Sequence, residues 1–204
     1  LDRLQKLCQD LAPMMHAMKV GRVISRPFTG NVGDFRRTKN RRDYAIAPPS
    51  PTLNDWVQGA GRKVYAIGKI GDIFSMRGID ELRKGADADL MEHLVDLSQT
   101  AKDGSLTFAN FVEFDSLYGH PRDVSGYARA LEWFDSNLPR LFASARPDDL
   151  FLFTADHGND PSCTGTDHTP HPAHLFICGG FILIANNATP RINRIRMNGF
   201  CRTP

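Results

Sequence analysis

The 204-residue sequence predicts an α/β fold with a largely parallel sheet, on two observations. From Thr52 onward, short apolar runs alternate with amphipathic stretches, which is the pattern of buried strands with helices laid on both faces of their sheet. Two of those runs also end in a carboxylate and an imidazole: "TFANFV" leads into "EFDSLYGH", and "LFLFT" leads into "ADHGND". In open α/β sheets, chemistry collects beyond the carboxyl ends of the strands.

Taken in order, Leu4, Leu7, Leu11 and Met14 or Met15 recur at three-to-four spacing and predict a helix over 1–18. The stretch "GRVISRPFTGNVGDFRRTKNRRD" sets a short β-type run, Val23 and Ile24, among Gly, Pro and Asn breakers, so strands and loops are expected. The segment "APPSPT" then marks a boundary. Beyond it the pattern predicts a helix at 52–60, a strand in "KVYAIGKI", a helix at 86–101 and a strand in "SLTFANFV". Next comes a strong helix on Tyr127, Leu131, Phe134, Leu138 and Leu141, and then a strand in "DLFLFTAD".

Composition is that of an ordinary globular protein, with 41% hydrophobic and 24% charged residues. No apolar run approaches the roughly 20 residues of a membrane span, and the first ten residues lack the apolar centre of a signal peptide, so the cytoplasm is the expected location. Cys8, Cys163, Cys178 and Cys201 are scattered and form no CxxC pair, which excludes a zinc-knuckle pattern and suggests free thiols. The net charge of +2 hides an asymmetry. Residues 1–42 carry ten Lys/Arg against three Asp/Glu, whereas residues 43–190 carry eleven basic and twenty acidic residues. That division suits an anion-binding arm beside a cation-binding core.

Asp115, His120, Asp156, His157 and His168 form the chemical inventory of that core. Carboxylate oxygens suit Mg²⁺ or Mn²⁺, and neutral imidazole adds affinity for Mn²⁺ or Zn²⁺. Such a set can serve two metals about 4 Å apart that clamp a phosphoryl group. One Asp-His pair in a loop is ordinarily a solvated turn or helix cap; two strand exits plus a third Gly-rich His segment argue for more. On the basic side, Arg22, Arg26, Arg36, Arg37, Arg41 and Arg42 read either as a solvated face or as bidentate phosphate contacts. Lys69, at the end of "VYAIGK", faces the same side as the metal candidates by the strand-exit argument.

The segments "VGRVISRPFTG", "FRRTKNRRDYAIAPPSPT", "AIGKIGDIF", "FVEFDSLYGHPRDVSGYARALEWFD" and "TADHGNDPSCTGTDHT" resemble the phosphopentomutases, metal-dependent members of the alkaline phosphatase superfamily, over about residues 19–169. The resemblance implies an alkaline-phosphatase-like core with an inserted α+β cap and two Mn²⁺ ions at their junction. It assigns Asp115, His120 and His168 to one metal, Asp156 and His157 to the other, and substrate phosphate to Arg22, Arg37 and Lys69. The implied reaction interconverts ribose or deoxyribose 1-phosphate with the 5-phosphate through a phosphothreonine enzyme. On this reading residues 1–47 are part of the cap and 48–204 the later part of the core. The implied partner is a small pentose phosphate, with no nucleic acid and no membrane involved.

Two departures from the family pattern qualify the expectation. The family's N-terminal metal-binding Asp and its phosphorylated Thr have no match among these residues, so this polypeptide alone is expected to show little or no mutase activity. After Thr169, "PHPAHLFICGGFILIANNATPRINRIRMNGFCRTP" departs from the pattern as a reading-frame slip in the source sequence would make it, leaving 170–204 an atypical tail with His171 and His174 unassigned. Glu113, Asp160 and Asp167 read as supporting or turn residues. Other readings stay open: a cofactor-independent phosphoglycerate mutase, a phosphatase of the same superfamily, or a non-catalytic module binding phosphorylated ligands or nucleic acid.

Overall fold

A computed structural model of the chain describes residues 1–38 and 40–169, together with the backbone of the strand at 175–179. The first part is built from α1 (Asp2–Ala17) laid against the antiparallel pair of β1 (Arg22–Ser25) and β4 (Arg42–Ala45). A second antiparallel pair, β2 (Phe28–Thr29) with β3 (Arg36–Arg37), forms an exposed hairpin between them. Tyr44 fastens β4 to the helix by donating its hydroxyl to the Gln5 carbonyl at 3.0 Å. One side of α1 stays uncovered, with Leu4, Leu7, Leu11 and Met14 exposed.

The second part centres on three parallel strands in the order β6 (Glu81–Arg83), β5 (Val64–Gly68), β7 (Leu106–Asn110). Alternation along β5 sorts its side chains to two faces. Val64 and Ala66 pack with Ile70 and Ile79 beside α2 (Leu53–Gly59) and α3 (Ile70–Ile73). Ile67 packs with Leu90 and Leu97 of α4 (Asp87–Thr100). Both faces are thereby covered, which is why β5 reads as a continuous apolar run. The long helix α5 (Val124–Ala143) lies against α4 and buries Leu138 and Leu141. Phe134 and Phe142 on α5 meet Phe153 of β8 (Leu150–Thr154) in edge-to-face contacts.

β8 departs from the sequence expectation. Among the described residues it is not hydrogen-bonded into the parallel sheet but pairs antiparallel with β9 (Leu175–Gly179). Phe151 and Phe153 point toward α5 while Leu150 and Leu152 are exposed, so only one face is covered, as antiparallel pairs permit. Three elements were not anticipated, the first being the single-turn helix α3, whose Ile70 was read as the end of a strand. The others are the short strand β6 and a π-helix at Phe114–Gly119. His171 and His174 lie outside the described residues. Among those described, no helix is long and apolar enough to cross a membrane.

Candidate metal centre

The chain leaves β7 and enters the π-helix under control of a buried carboxylate. Asp87, 5% exposed at the start of α4, accepts the backbone N–H of Val112 with one oxygen at 3.0 Å and that of Glu113 with the other at 3.1 Å. Burial holds its carboxyl above the ordinary value, although both of those N–H bonds pull it back down. The clamp fixes the first turn of the π-helix, where Asp115 sits. Single π-turns of this kind recur at functional sites.

Asp115, His157 and His168 each offer a ligand atom, and the three atoms lie within 4.8 Å of one another. The His157 and His168 rings stack with centroids 3.5 Å apart, and His168 Nε2 is 3.6 Å from Asp115 Oδ1. His120 adjoins the trio, its Nε2 3.3 Å from Asp115 Oδ2 and its ring stacked on His168 at 5.1 Å. His120 Nδ1 lies 2.6 Å from the Thr166 carbonyl, and His157 Nδ1 lies 3.3 Å from the Gly158 carbonyl. A carbonyl only accepts, so in each neutral ring Nδ1 carries the proton and the Nε2 lone pair is free for a ligand. Asp156 stands further out, 74% exposed, with Oδ1 3.6 Å from His157 Nε2. One carboxylate with converging imidazole nitrogens is a donor set that fits a borderline divalent cation.

Lys69 follows Gly68, whose φ of +76° turns the chain out of β5 where a side chain would strike the Asn110 carbonyl. It lines a cleft of about 380 Å³ together with Asp72, Lys84, Asp87, Glu113 and Ser116. Burial pushes the Lys69 ammonium down first and Arg41 adds to this, while Asp115 pulls the other way. Arg22 contributes in the same sense as Arg41. Lys69, Arg22 and Arg41 therefore share one electrostatic neighbourhood with Asp115. Arg22 lies 3.5 Å from Asp43, which also takes both forks of Arg41 at 2.8 Å. Arg37 sits instead on the exposed β2–β3 hairpin.

Three contributors went unread in the sequence: Asp87, Asn159 and Arg122. Asn159 donates its amide to Asp115 Oδ1 at 2.6 Å and accepts from Arg122 at 2.7 Å. None belongs to a ligand-type spacing, and Asp87 sat inside a helical pattern where an acid reads as a first-turn residue. Arg122 follows the "YGH" of the motif after one proline, yet four of its five partners are backbone carbonyls, which no residue pattern records.

With this geometry in place, the class is settled: residues 1–183 match the metalloenzyme superfamily, and the chain belongs to it. The match runs past Thr169, so the likeness extends into part of the segment that sequence reading left unaligned. The chain is 53% identical over 171 residues to the phosphopentomutase of Chelativorans sp. (strain BNC1), covering 83% of this chain and 42% of that one. It is 51% identical over 181 residues to the phosphopentomutase of Sinorhizobium fredii (strain NBRC 101917 / NGR234), covering 88% and 45%. To the phosphopentomutase of Legionella pneumophila (strain Philadelphia 1) it is 46% identical over 180 residues, covering 88% and 44%. The chain thus spans less than half the length of these curated relatives. Among solved structures, the PH0037 protein from Pyrococcus horikoshii matches with a TM-score of 0.53 at 14% identity, over 86% of this chain and 52% of that one, a likeness of fold alone.

Proposed function

We propose that the chain carries the later part of a phosphopentomutase, with Asp115, His120, Asp156, His157 and His168 holding divalent cations, Mn²⁺ in the first instance. The observation that carries this reading is the convergence of Asp115, His157 and His168 donor atoms within 4.8 Å from two separate strand exits and a loop. Similarity to phosphopentomutases over most of the chain supports the pentose phosphate as substrate. Cations bound there would neutralise the oxygens of a transferring phosphoryl group.

The chain's own residues do the rest. The Thr166 and Gly158 carbonyls fix the His120 and His157 tautomers, so each imidazole presents Nε2 to a cation. Lys69 and Arg22 line the approach with positive charge for the sugar phosphate. Lys69 is exposed where it lines the cleft with Asp72 and Lys84, so its ammonium is open to an incoming phosphate. Arg37 completes the proposed set from the hairpin side. Residues 1–47, antiparallel and basic, supply part of a cap, and 48–204 the metal-binding core.

Calorimetric titration of the 204-residue chain with MnCl₂, then with ribose 5-phosphate in excess Mn²⁺, tests the reading. Wild type is expected to bind both, Asp115→Asn to lose Mn²⁺, and Lys69→Met to keep Mn²⁺ while binding the sugar phosphate at least tenfold more weakly. Tighter binding of 3-phosphoglycerate than of ribose 5-phosphate would redirect the assignment to a phosphoglycerate mutase of the same superfamily.

A further inference from the structure

We infer that Arg122 is a positioning residue that ties the Asp115–His120 segment to the loop running from Gly158 to His168, so that ligands from two strand exits face one another. The inference rests on the metal reading above and goes beyond it by naming what assembles the site.

The guanidinium reaches five acceptors. Nε donates to the Gly165 carbonyl at 2.5 Å and Nη2 to the Asp167 carbonyl at 2.6 Å. Nη1 is shared among Asn159 Oδ1 at 2.7 Å, the Asp160 carbonyl at 2.9 Å and the Gly119 carbonyl at 3.2 Å. Every acceptor is an uncharged oxygen, so an ion pair is not what holds the side chain. Its planar fork joins Asn159 and Asp160 at the start of the loop to Gly165 and Asp167 just before His168, and returns to the residue just before His120. A lysine ammonium has three donors at one point and cannot reach the same set.

The contact is relayed to the carboxylate. By accepting from Arg122, the Asn159 amide oxygen fixes which end of the amide faces Asp115, and Nδ2 then donates to Asp115 Oδ1 at 2.6 Å. One carboxylate oxygen is thereby oriented, and the other faces His120 at 3.3 Å. The approach is built in at Gly119, where a methyl group would overlap the Asn159 side chain. Arg122 itself sits at φ +59°, a left-handed backbone uncommon outside glycine, and Asp123 closes that turn by donating to the Tyr118 carbonyl at 3.0 Å. Groups that orient metal ligands in this manner change metal affinity by roughly 10–100-fold when altered.

Arg122→Lys and Asn159→Ala, made in the full 204-residue chain, separate assembly from mere folding. Two readouts are taken: the Mn²⁺ dissociation constant from the electron paramagnetic resonance signal of free Mn²⁺, and amide hydrogen exchange of metal-free protein over 114–120 and 158–169. Arg122→Lys is expected to weaken Mn²⁺ binding about 10–100-fold and to speed exchange in both segments while α4 and β5 stay protected. Asn159→Ala is expected to weaken Mn²⁺ binding with little change in exchange, because the other Arg122 contacts remain. If wild type binds no Mn²⁺, the metal reading fails and the exchange comparison still decides the role of Arg122. Unchanged exchange in both segments for Arg122→Lys overturns the inference, as does wild-type Mn²⁺ affinity in that variant. Should Arg122→Lys not fold, wild-type Mn²⁺ affinity in Asn159→Ala overturns it.

Discussion

Asp87 shows how a single buried carboxylate sets the geometry of a distant ligand. Its two oxygens are consumed by the Val112 and Glu113 amides, which are consecutive donors at the exit of β7. Asp87→Asn keeps the shape but offers one acceptor, and its Nδ2 then opposes an N–H that no longer has a partner. A buried donor left unsatisfied costs about 1–3 kcal/mol, and urea unfolding of Asp87→Asn at pH 7 is expected to show a loss of that size together with weaker Mn²⁺ binding. Equal stability of variant and wild type would remove the clamp. At this scale the ligand types were legible, because Asp and His advertise their chemistry wherever they stand. Arg122 and Asn159 were not, since a residue whose partners are brought near only by folding leaves no trace in spacing.

Secondary-structure elements carry their own electrostatics, and α2 offers the sharpest case. Asp55 at its third position accepts the Thr52 amide at 2.6 Å and the Thr52 hydroxyl at 2.9 Å, and takes the Arg77 guanidinium on its other oxygen at 2.8 Å. These contacts, the backbone bond first, lower its pKa to about 2. A carboxyl depressed in the folded state contributes stability above its unfolded value of about 4 and loses it as pH falls toward the folded one. Asp55→Asn is therefore expected to be less stable than wild type at pH 7, with the gap closing between pH 4 and pH 2 in acid unfolding followed by circular dichroism. A gap that persists unchanged to pH 2 would mean that the charge does not matter. The helices α1, α2, α4 and α5 and the strand β5 could be read from sequence because apolar periodicity survives where a face is buried. By contrast, β6 is three residues long and begins at the exposed Glu81, too little for any period to show. The π-helix differs from an α-turn by one residue of hydrogen-bond register, which side-chain pattern does not encode.

Across the whole molecule, the metal candidates come from segments far apart in the chain: the exit of β7, the exit of β8 and the loop ending at Thr169. Only their common location could be anticipated, from the rule that strand ends gather on one side. The antiparallel pairing of β8 with β9, with Phe151 and Phe153 packed on Phe142, could not be anticipated, because an apolar run does not record the direction of its neighbour. A cation bound by Asp115, His157 and His168 closes long loops between these segments, and nothing comparable is preassembled in the unfolded chain. Binding energy is then folding energy. At a free Mn²⁺ concentration one hundred times the dissociation constant, linkage gives about 2.7 kcal/mol per site. For a chain of this length that corresponds to a rise in Tm of roughly 5–11 °C. Differential scanning fluorimetry with MnCl₂ is expected to show that rise in wild type and in Lys69→Met, its reversal by EDTA, and its absence in Asp115→Asn. A rise of equal size in Asp115→Asn would place the stabilising cation elsewhere on the protein and detach the convergent trio from metal binding.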